Sequence, residues 1–290
     1  SAAAAPSSRT AGCWMIFADD SGVGQQLADD LRGQGESCVV IRRSEAFARR
    51  GEDEFSIRAE EPEDWRQVLS AVGEAGRPSG LGIVHLWSLD APKGSELTAL
   101  RLEEAQVYSC GSVLGIVKEL AAHSWEEFPQ MWLVTRGAQA LAGGSGRVAI
   151  AQAPLWGFGR ALAVEHPELW KGLIDVDPGA SSAEAAAQLG REILQGDGED
   201  QVAFRAGGRY AARLVRVQEQ DIRPLKPGMG PDGSYLITGG LGDLGLLVAR
   251  WMVEQGARQL ILMGRTPLPP RAEWEAVEAE TRVGRQIAAV

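Results

Sequence analysis

Three glycines constrain this chain more than any other feature. In SYLITGGLGDLGLLVARWM, residues 234–252, Gly240, Gly242 and Gly245 stand between an apolar run suited to a strand and a run with helical apolar spacing. A strand that passes into a helix over so few residues needs backbone without Cβ atoms. Gly240 permits the tight turn, Gly242 leaves room for a ligand against the backbone, and Gly245 lets helix and strand pack closely. The first N–H groups of such a helix have no partners within it and point at the turn, which suits a phosphate. G-x-G-x-x-G is weak as a bare pattern. Placed directly after a strand and directly before a helix, it predicts a βαβ unit of dinucleotide-binding type.

The end of the next strand, QLILMGR, narrows the nucleotide. It closes on Met263, Gly264, Arg265 and Thr266. A site for NAD usually carries Asp or Glu there to accept from the ribose 2′-OH, whereas a cation suits a 2′-phosphate. Arg265 therefore favours NADP.

The glycine turn comes late in the 290 residues, and what precedes it alternates between strand and helix patterns. Cys13 to Phe17 is a buried-strand run, Gln25 to Arg32 a helix and SCVVIR a second strand, which together make another βαβ unit. EPEDWRQVLSAV reads as a helix with acids in its first turn, and LGIVHLW as a strand ending at Trp87. LEEAQVYSCGSVLGIVKELAA is a long helix, QMWLVTRGA a strand, and QAPLWGFGRALAVEHPE a helix stopped by Pro167. KGLIDVDP is a further strand, SSAEAAAQLGREILQG a serine-capped helix, and QVAFRAGGRYAARLVRV a hairpin about AGGR.

The resulting organisation is a linker at 1–11, an α/β domain at 12–216, a Pro/Gly-rich linker at 217–233 and a second domain at 234–290. In the second domain Asp243 to Gln255 is a helix between the two strands. PRAEWEAVEAETRVGRQIAAV then gives a helix, with or without entry into a third strand. Two strands do not make an independently stable sheet, so this domain is expected to be the truncated first part of a larger one.

The first βαβ unit has its own turn, ADDSGVG, with Gly22 and Gly24 but with Asp19 and Asp20 where phosphates would lie. Two carboxylates there would repel a pyrophosphate, and no ribose partner is evident after SCVVIR. Residues 12–216 are thus expected to be a nucleotide fold in a structural role.

Composition removes other classes of function. The net charge is −10, with 29 basic residues scattered among 39 acidic ones, which opposes binding to nucleic acid or an anionic membrane. No apolar run reaches the roughly eighteen residues of a membrane helix, and SAAAAPSSRT lacks a signal peptide's basic leader and apolar stretch. A cytoplasmic location is expected. Cys13, Cys38 and Cys110 are odd in number and widely spaced, hence packing residues rather than a disulfide or zinc framework.

A catalytic set is not found. A short-chain reductase needs a tyrosine with a lysine four residues on, but Ser112, Leu214 and Gly239 follow Tyr108, Tyr210 and Tyr235 at that distance. His85 reads as a packed strand residue, and His123 and His166 as residues at helix ends. Asp175 and Asp177 read as loop formers before Pro178, and Glu165 has no convincing carboxylate partner.

WMIFADDSGVGQQLADDLRGQG, IVHLWSLDAP, QAPLWGFGRALAVEHPELWKGLIDVDP and GSYLITGGLGDLGLLVARWMVEQGARQLILMGR together resemble the ketoreductase region of modular type I polyketide synthases. That family belongs to the short-chain dehydrogenase/reductase superfamily, and the resemblance covers about residues 12–290. It implies a degenerate Rossmann-like structural subdomain, followed by the first βαβ part of an NADPH-binding Rossmann subdomain. It also implies reduction of a β-ketoacyl group to a β-hydroxyacyl group, carried on the phosphopantetheine arm of an acyl carrier protein among neighbouring synthase domains.

Thr238, Gly239, Gly240, Leu241, Gly242, Asp243, Leu244 and Gly245 match the family's cofactor loop, and Arg265 with Thr266 its 2′-phosphate end. The family's Lys, Ser, Tyr and Asn fall beyond Val290, so no catalytic residue carries over and these 290 residues alone are expected to be inactive. The alternative is a non-reducing scaffold that organises its neighbours, as pseudo-ketoreductases of this family do.

Overall fold

A computed structural model describes residues 12–74, 80–141, 148–217 and 228–289, so the predicted linker at 1–11 and most of the one at 217–233 lie outside the described residues. The chain divides into two compact units, one ending at Leu214 and one beginning at Val215.

In the first unit the apolar runs become a sheet through β1 (Cys13–Ala18), β2 (Ser37–Arg43), β3 (Ala48–Arg49), β4 (Glu54–Ile57), β5 (Leu81–His85), β6 (Gln130–Arg136), β7 (Trp170–Val176), β8 (Gln201–Arg205) and β9 (Gly208–Ala211). Their order is β3-β4-β2-β1-β5-β6-β7-β8-β9. Between β4 and β7 this is the 3-2-1-4-5-6 order of a doubly wound dinucleotide fold, with all neighbouring pairs parallel. The sequence reading lacked β3 and β4: EFSI is too short to show a period, and its pairing with Val40–Arg43 on β2 defines it.

Strand side chains alternate between two cores. Trp14 and Ile16 of β1 join a layer with Leu27, Ala28 and Leu31 of α1 (Val23–Gly33) and Ala185, Ala186 and Leu189 of α6 (Ser182–Gln195). Met15 and Phe17 join the opposite layer, where Trp65 and Val68 of α2 (Pro62–Glu74), Ile116 and Leu120 of α4 (Ser112–Ala121), and Leu155 and Trp156 of α5 (Ala153–Glu165) are buried. The predicted long helix is α3 (Ala99–Gln106) running into α4 through a π-helical turn, Val107–Gly111. The strand expected to end at Trp87 stops at His85, and Trp87–Asp90 forms a 3₁₀ turn.

Asp175 departs from its reading as a loop former. It is fully buried within β7 and accepts from the Thr135 hydroxyl at 2.6 Å, from Ala138 N–H at 2.9 Å and from Gln139 N–H at 3.1 Å. The Arg205 guanidinium, from β8, forms an ion pair with the same carboxylate. Asp177 does lie in the following loop, accepting from the N–H of Gly179 at 2.9 Å.

In the second unit β10 (Ser234–Thr238) and β11 (Gln259–Met263) pair in parallel, from Ser234 opposite Gln259 to Thr238 opposite Met263, with α7 (Asp243–Glu254) between them in sequence. The final predicted helix is broken into a 3₁₀ segment, Arg271–Ala276, and α8 (Arg282–Ala289). Trp274 Nε1 donates to the Pro269 carbonyl at 2.9 Å, and Thr281 begins α8 by accepting from Gly284 N–H at 3.0 Å. No third strand follows among the described residues. None of the described helices is long and apolar enough to cross a membrane.

Candidate functional site

The glycine turn joins β10 to α7. Left-handed backbone falls at Gly239, with φ +67°, rather than at Gly240, the position the spacing assigned to the turn. Gly240 is needed for a different reason, since a Cβ there would lie 2.9 Å from Leu262 Cα on the neighbouring strand. Its N–H donates to Met263 O at 3.0 Å, and Gly242 N–H donates to Gly239 O at 2.9 Å. Gly245 has the packing role expected of it: a Cβ would lie 2.7 Å from Gly240 Cα and would strike the Gly239 carbonyl.

Gly242 is the N-cap of α7 and supplies no side-chain cap, so the helix presents uncapped N–H groups behind a turn, Gly239 to Gly242, in which Leu241 alone carries a Cβ. This donor set fits a pyrophosphate. Thr238, Asp243 and Leu244 are exposed around the turn, while Arg265 and Thr266 are exposed beyond β11. Arg265 forms no salt bridge with any described residue.

The corresponding turn of the first unit is built to the same plan and filled from within. Gly22 is left-handed, with φ +89°, and a Cβ on Gly24 would lie 2.6 Å from Ala18 Cα. Asp19 does more than repel an anion: fully buried, its carboxylate accepts from the N–H of Gly24 at 2.7 Å and of Val23 at 3.4 Å, and from the Ser21 hydroxyl. It holds the place at the N-terminus of α1 that a phosphate would take.

The end of β2, where the sequence shows no ribose partner, carries Arg43. That guanidinium lies 3.3 Å from Asp20 and 3.7 Å from Asp90, with its carbon 3.9 Å above the Tyr108 ring. Asp90 Oδ1 accepts from Asp20 N–H at 2.8 Å. Loops after β1, β2 and β5, at the point where strand order reverses, thus satisfy one another. Sequence could not show this, since Asp90 and Arg43 meet only across the sheet.

Burial pushes the Asp90 carboxyl up to about 7, opposed by the hydrogen bond from the Asp20 N–H and by Arg43, with the Asp20 and Asp19 charges adding to the rise. Between the ordinary carboxylate range and pH 7 the folded state then holds a proton that the unfolded state has lost, so stability falls as pH rises through that window. Asp90→Asn should remove this slope. Urea unfolding at pH 4.5 and 8 is expected to show the variant gaining on the wild type by on the order of 2 kcal/mol with rising pH; parallel pH dependences would contradict it.

The histidines have structural surroundings. His85 is fully buried, Nε2 lies 2.8 Å from Ser112 Oγ, and burial pushes its pKa down to about 3, so the ring is neutral. His123 Nδ1 lies 2.7 Å from the Glu119 carbonyl at the end of α4, and His166 Nδ1 3.0 Å from Glu168 after α5. Glu165 is exposed as the last residue of α5. Tyr235 hydroxyl accepts from Gly230 N–H at 2.7 Å. Cys13 and Cys38 are buried and take part in no disulfide among the described residues, and burial pushes Cys38 up to about 12. No cluster of potential metal ligands occurs among the described residues.

A doubly wound sheet whose glycine turn is filled by Asp19, followed by a strand, glycine turn and uncapped helix, makes this a chain of Rossmann-like α/β fold. The family model "Polyketide synthase extender module SpnB, Rossmann fold domain" matches residues 57–214, and the model "KR domain" matches residues 233–290. The chain belongs to the ketoreductase domains of modular polyketide synthases.

It is 36% identical over 199 residues to a phenolphthiocerol/phthiocerol polyketide synthase of Mycobacterium tuberculosis, covering 69% of this chain and 10% of that protein. It is 42% identical over 136 residues to the pikromycin polyketide synthase component PikAIII of Streptomyces venezuelae, covering 47% of this chain and 9% of that protein. Among solved structures, a C2-type ketoreductase from a modular polyketide synthase aligns with TM-score 0.62 and 27% identity over 87% of this chain and 50% of that one. The first ketoreductase of the tylosin synthase aligns with TM-score 0.62 and 26% identity over 88% and 49%. The chain thus spans about a tenth of these multidomain synthases and half of these ketoreductases.

Proposed function

We propose that the second unit begins the NADPH site of a ketoreductase that converts a β-ketoacyl group on an acyl carrier protein into a β-hydroxyacyl group. Residues 12–216 are its structural subdomain, 217–233 the connection and 234–290 the first part of its catalytic subdomain. The turn from Thr238 through Leu241 to Gly245 would receive the pyrophosphate on backbone N–H groups, with Asp243 and Leu244 opening α7, and Arg265 and Thr266 would meet the 2′-phosphate. The bound cofactor supplies the hydride.

The observation that carries this reading is the contrast between the turns: a carboxylate fills the first, while α7 is uncapped with Arg265 exposed beyond the neighbouring strand. Titrating the chain with NADPH and NADH, followed by cofactor fluorescence, tests it. Arg265→Ala is expected to weaken NADPH by about 10- to 100-fold, the worth of a charge-assisted contact, and to leave NADH unchanged. Equal effects on both would refute the 2′-phosphate assignment. Failure of the wild type to bind NADPH would leave the scaffold reading. With no catalytic tyrosine and lysine pair among these residues, no NADPH oxidation by a β-ketoacyl thioester is expected, and turnover would show that expectation to be wrong.

A further inference from the structure

Helix α8 reaches back to the glycine turn through one side chain. Gln286 Nε2 donates to the Leu241 carbonyl at 2.5 Å, a bond spanning 45 residues of sequence. The Leu241 carbonyl shares a planar peptide with the Gly242 N–H, and that N–H donates to Gly239 O at 2.9 Å. Both ends of the peptide are therefore held. A Cβ on Gly264 would meet Leu241 Cδ1 at 3.4 Å, so the same residue also borders the backbone just before Arg265.

The tight entry into α8 needs Gly284, where a Cβ would lie 2.8 Å from Ala279 Cα, and is capped by Thr281. Gln286 and Ile287 are half-buried, while Arg285 is exposed and turned to the Glu280 carbonyl.

We infer that Gln286 is a positioning residue for the phosphate turn. Gly239, Gly240 and Gly242 give the turn its room, but glycines also let a peptide rotate at little steric cost. A rotated Leu241–Gly242 peptide would release the Gly242 N–H and free a carbonyl oxygen, with its partial negative charge, beside an anion site. The Gln286 amide commits that oxygen to α8 and so keeps the turn preorganised. This rests on the reading of the turn as the NADPH site.

The discriminating property is donor capacity rather than size. Gln286→Glu is nearly isosteric but, ionised, only accepts, and would set like partial charges against the Leu241 oxygen; Gln286→Leu does neither; Gln286→Arg can still donate. The Glu and Leu variants of the 290-residue chain should bind NADPH about 5- to 30-fold more weakly, and the Arg variant within about threefold of wild type. Independently of cofactor, hydrogen exchange at the Gly242 amide should accelerate about tenfold in the first two and stay near wild type in the third.

NADPH binding and Gly242 exchange unchanged in all three variants would overturn the assignment, as would a loss that follows side-chain size. No NADPH binding by the wild type would instead refute the cofactor reading, with Gly242 exchange still testing the hold on the peptide.

Discussion

Asp175→Ala is expected to lower the unfolding free energy of the first unit by about 3–5 kcal/mol, because it leaves the Arg205 guanidinium without its buried counter-charge and strands the Thr135 hydroxyl and two loop N–H groups. Urea unfolding, followed through the near-ultraviolet signal of the buried Trp65 and Trp87, measures this directly. Asp175→Asn keeps an acceptor for Thr135 and should cost less. A loss below about 1 kcal/mol for the alanine variant would show that Arg205 finds another partner or water.

The second large effect belongs to Asp19. Asp19→Ala should destabilise the first unit by about 2–4 kcal/mol, since it removes a helix-terminal acceptor and leaves the N–H groups of Val23 and Gly24 unpaired in a buried turn. The loss should be local: exchange at the Gly24 amide is expected to accelerate far more than exchange in β6 or β7. Unchanged unfolding, or uniform acceleration across the sheet, would show that the carboxylate is not the ligand of this turn. Asp19→Asn keeps an oxygen acceptor and should fall between.

Much of the architecture was legible because its signals are local. The buried runs of β1, β2 and β5 to β7 and the apolar faces of α1 and α6 appear directly in sequence. So does the glycine turn, whose spacing is a steric requirement of the strand-to-helix passage.

What stayed hidden depends on residues far apart in the chain. EFSI becomes a strand only against β2. Both acids of IDVDP stand near a strand end, and it is Thr135 and Arg205, 40 and 30 residues away, that select Asp175 for burial. The acids of ADDSGVG were legible as obstacles to phosphate, but their division of labour was not. Asp19 turns inward to the helix N-terminus, while Asp20 pairs outward with Arg43. The break before α8 rests on Trp274 and Thr281 binding backbone groups, a local competition that helical spacing alone does not reveal.

The carboxylate in the first turn has a consequence for how the two units respond to metabolism. A protein stabilised by a free ligand gains RT ln(1 + [L]/Kd), so its stability rises and falls with supply. Asp19 is tethered by the backbone and cannot be diluted, so the turn it fills carries no such dependence. On the proposed reading of the second unit's turn as an NADPH site, scarcity of the cofactor would remove whatever stability it lends there, while the first turn keeps its tethered side chain. With that proposed function, one unit would thereby be buffered against the supply of the molecule that the other binds.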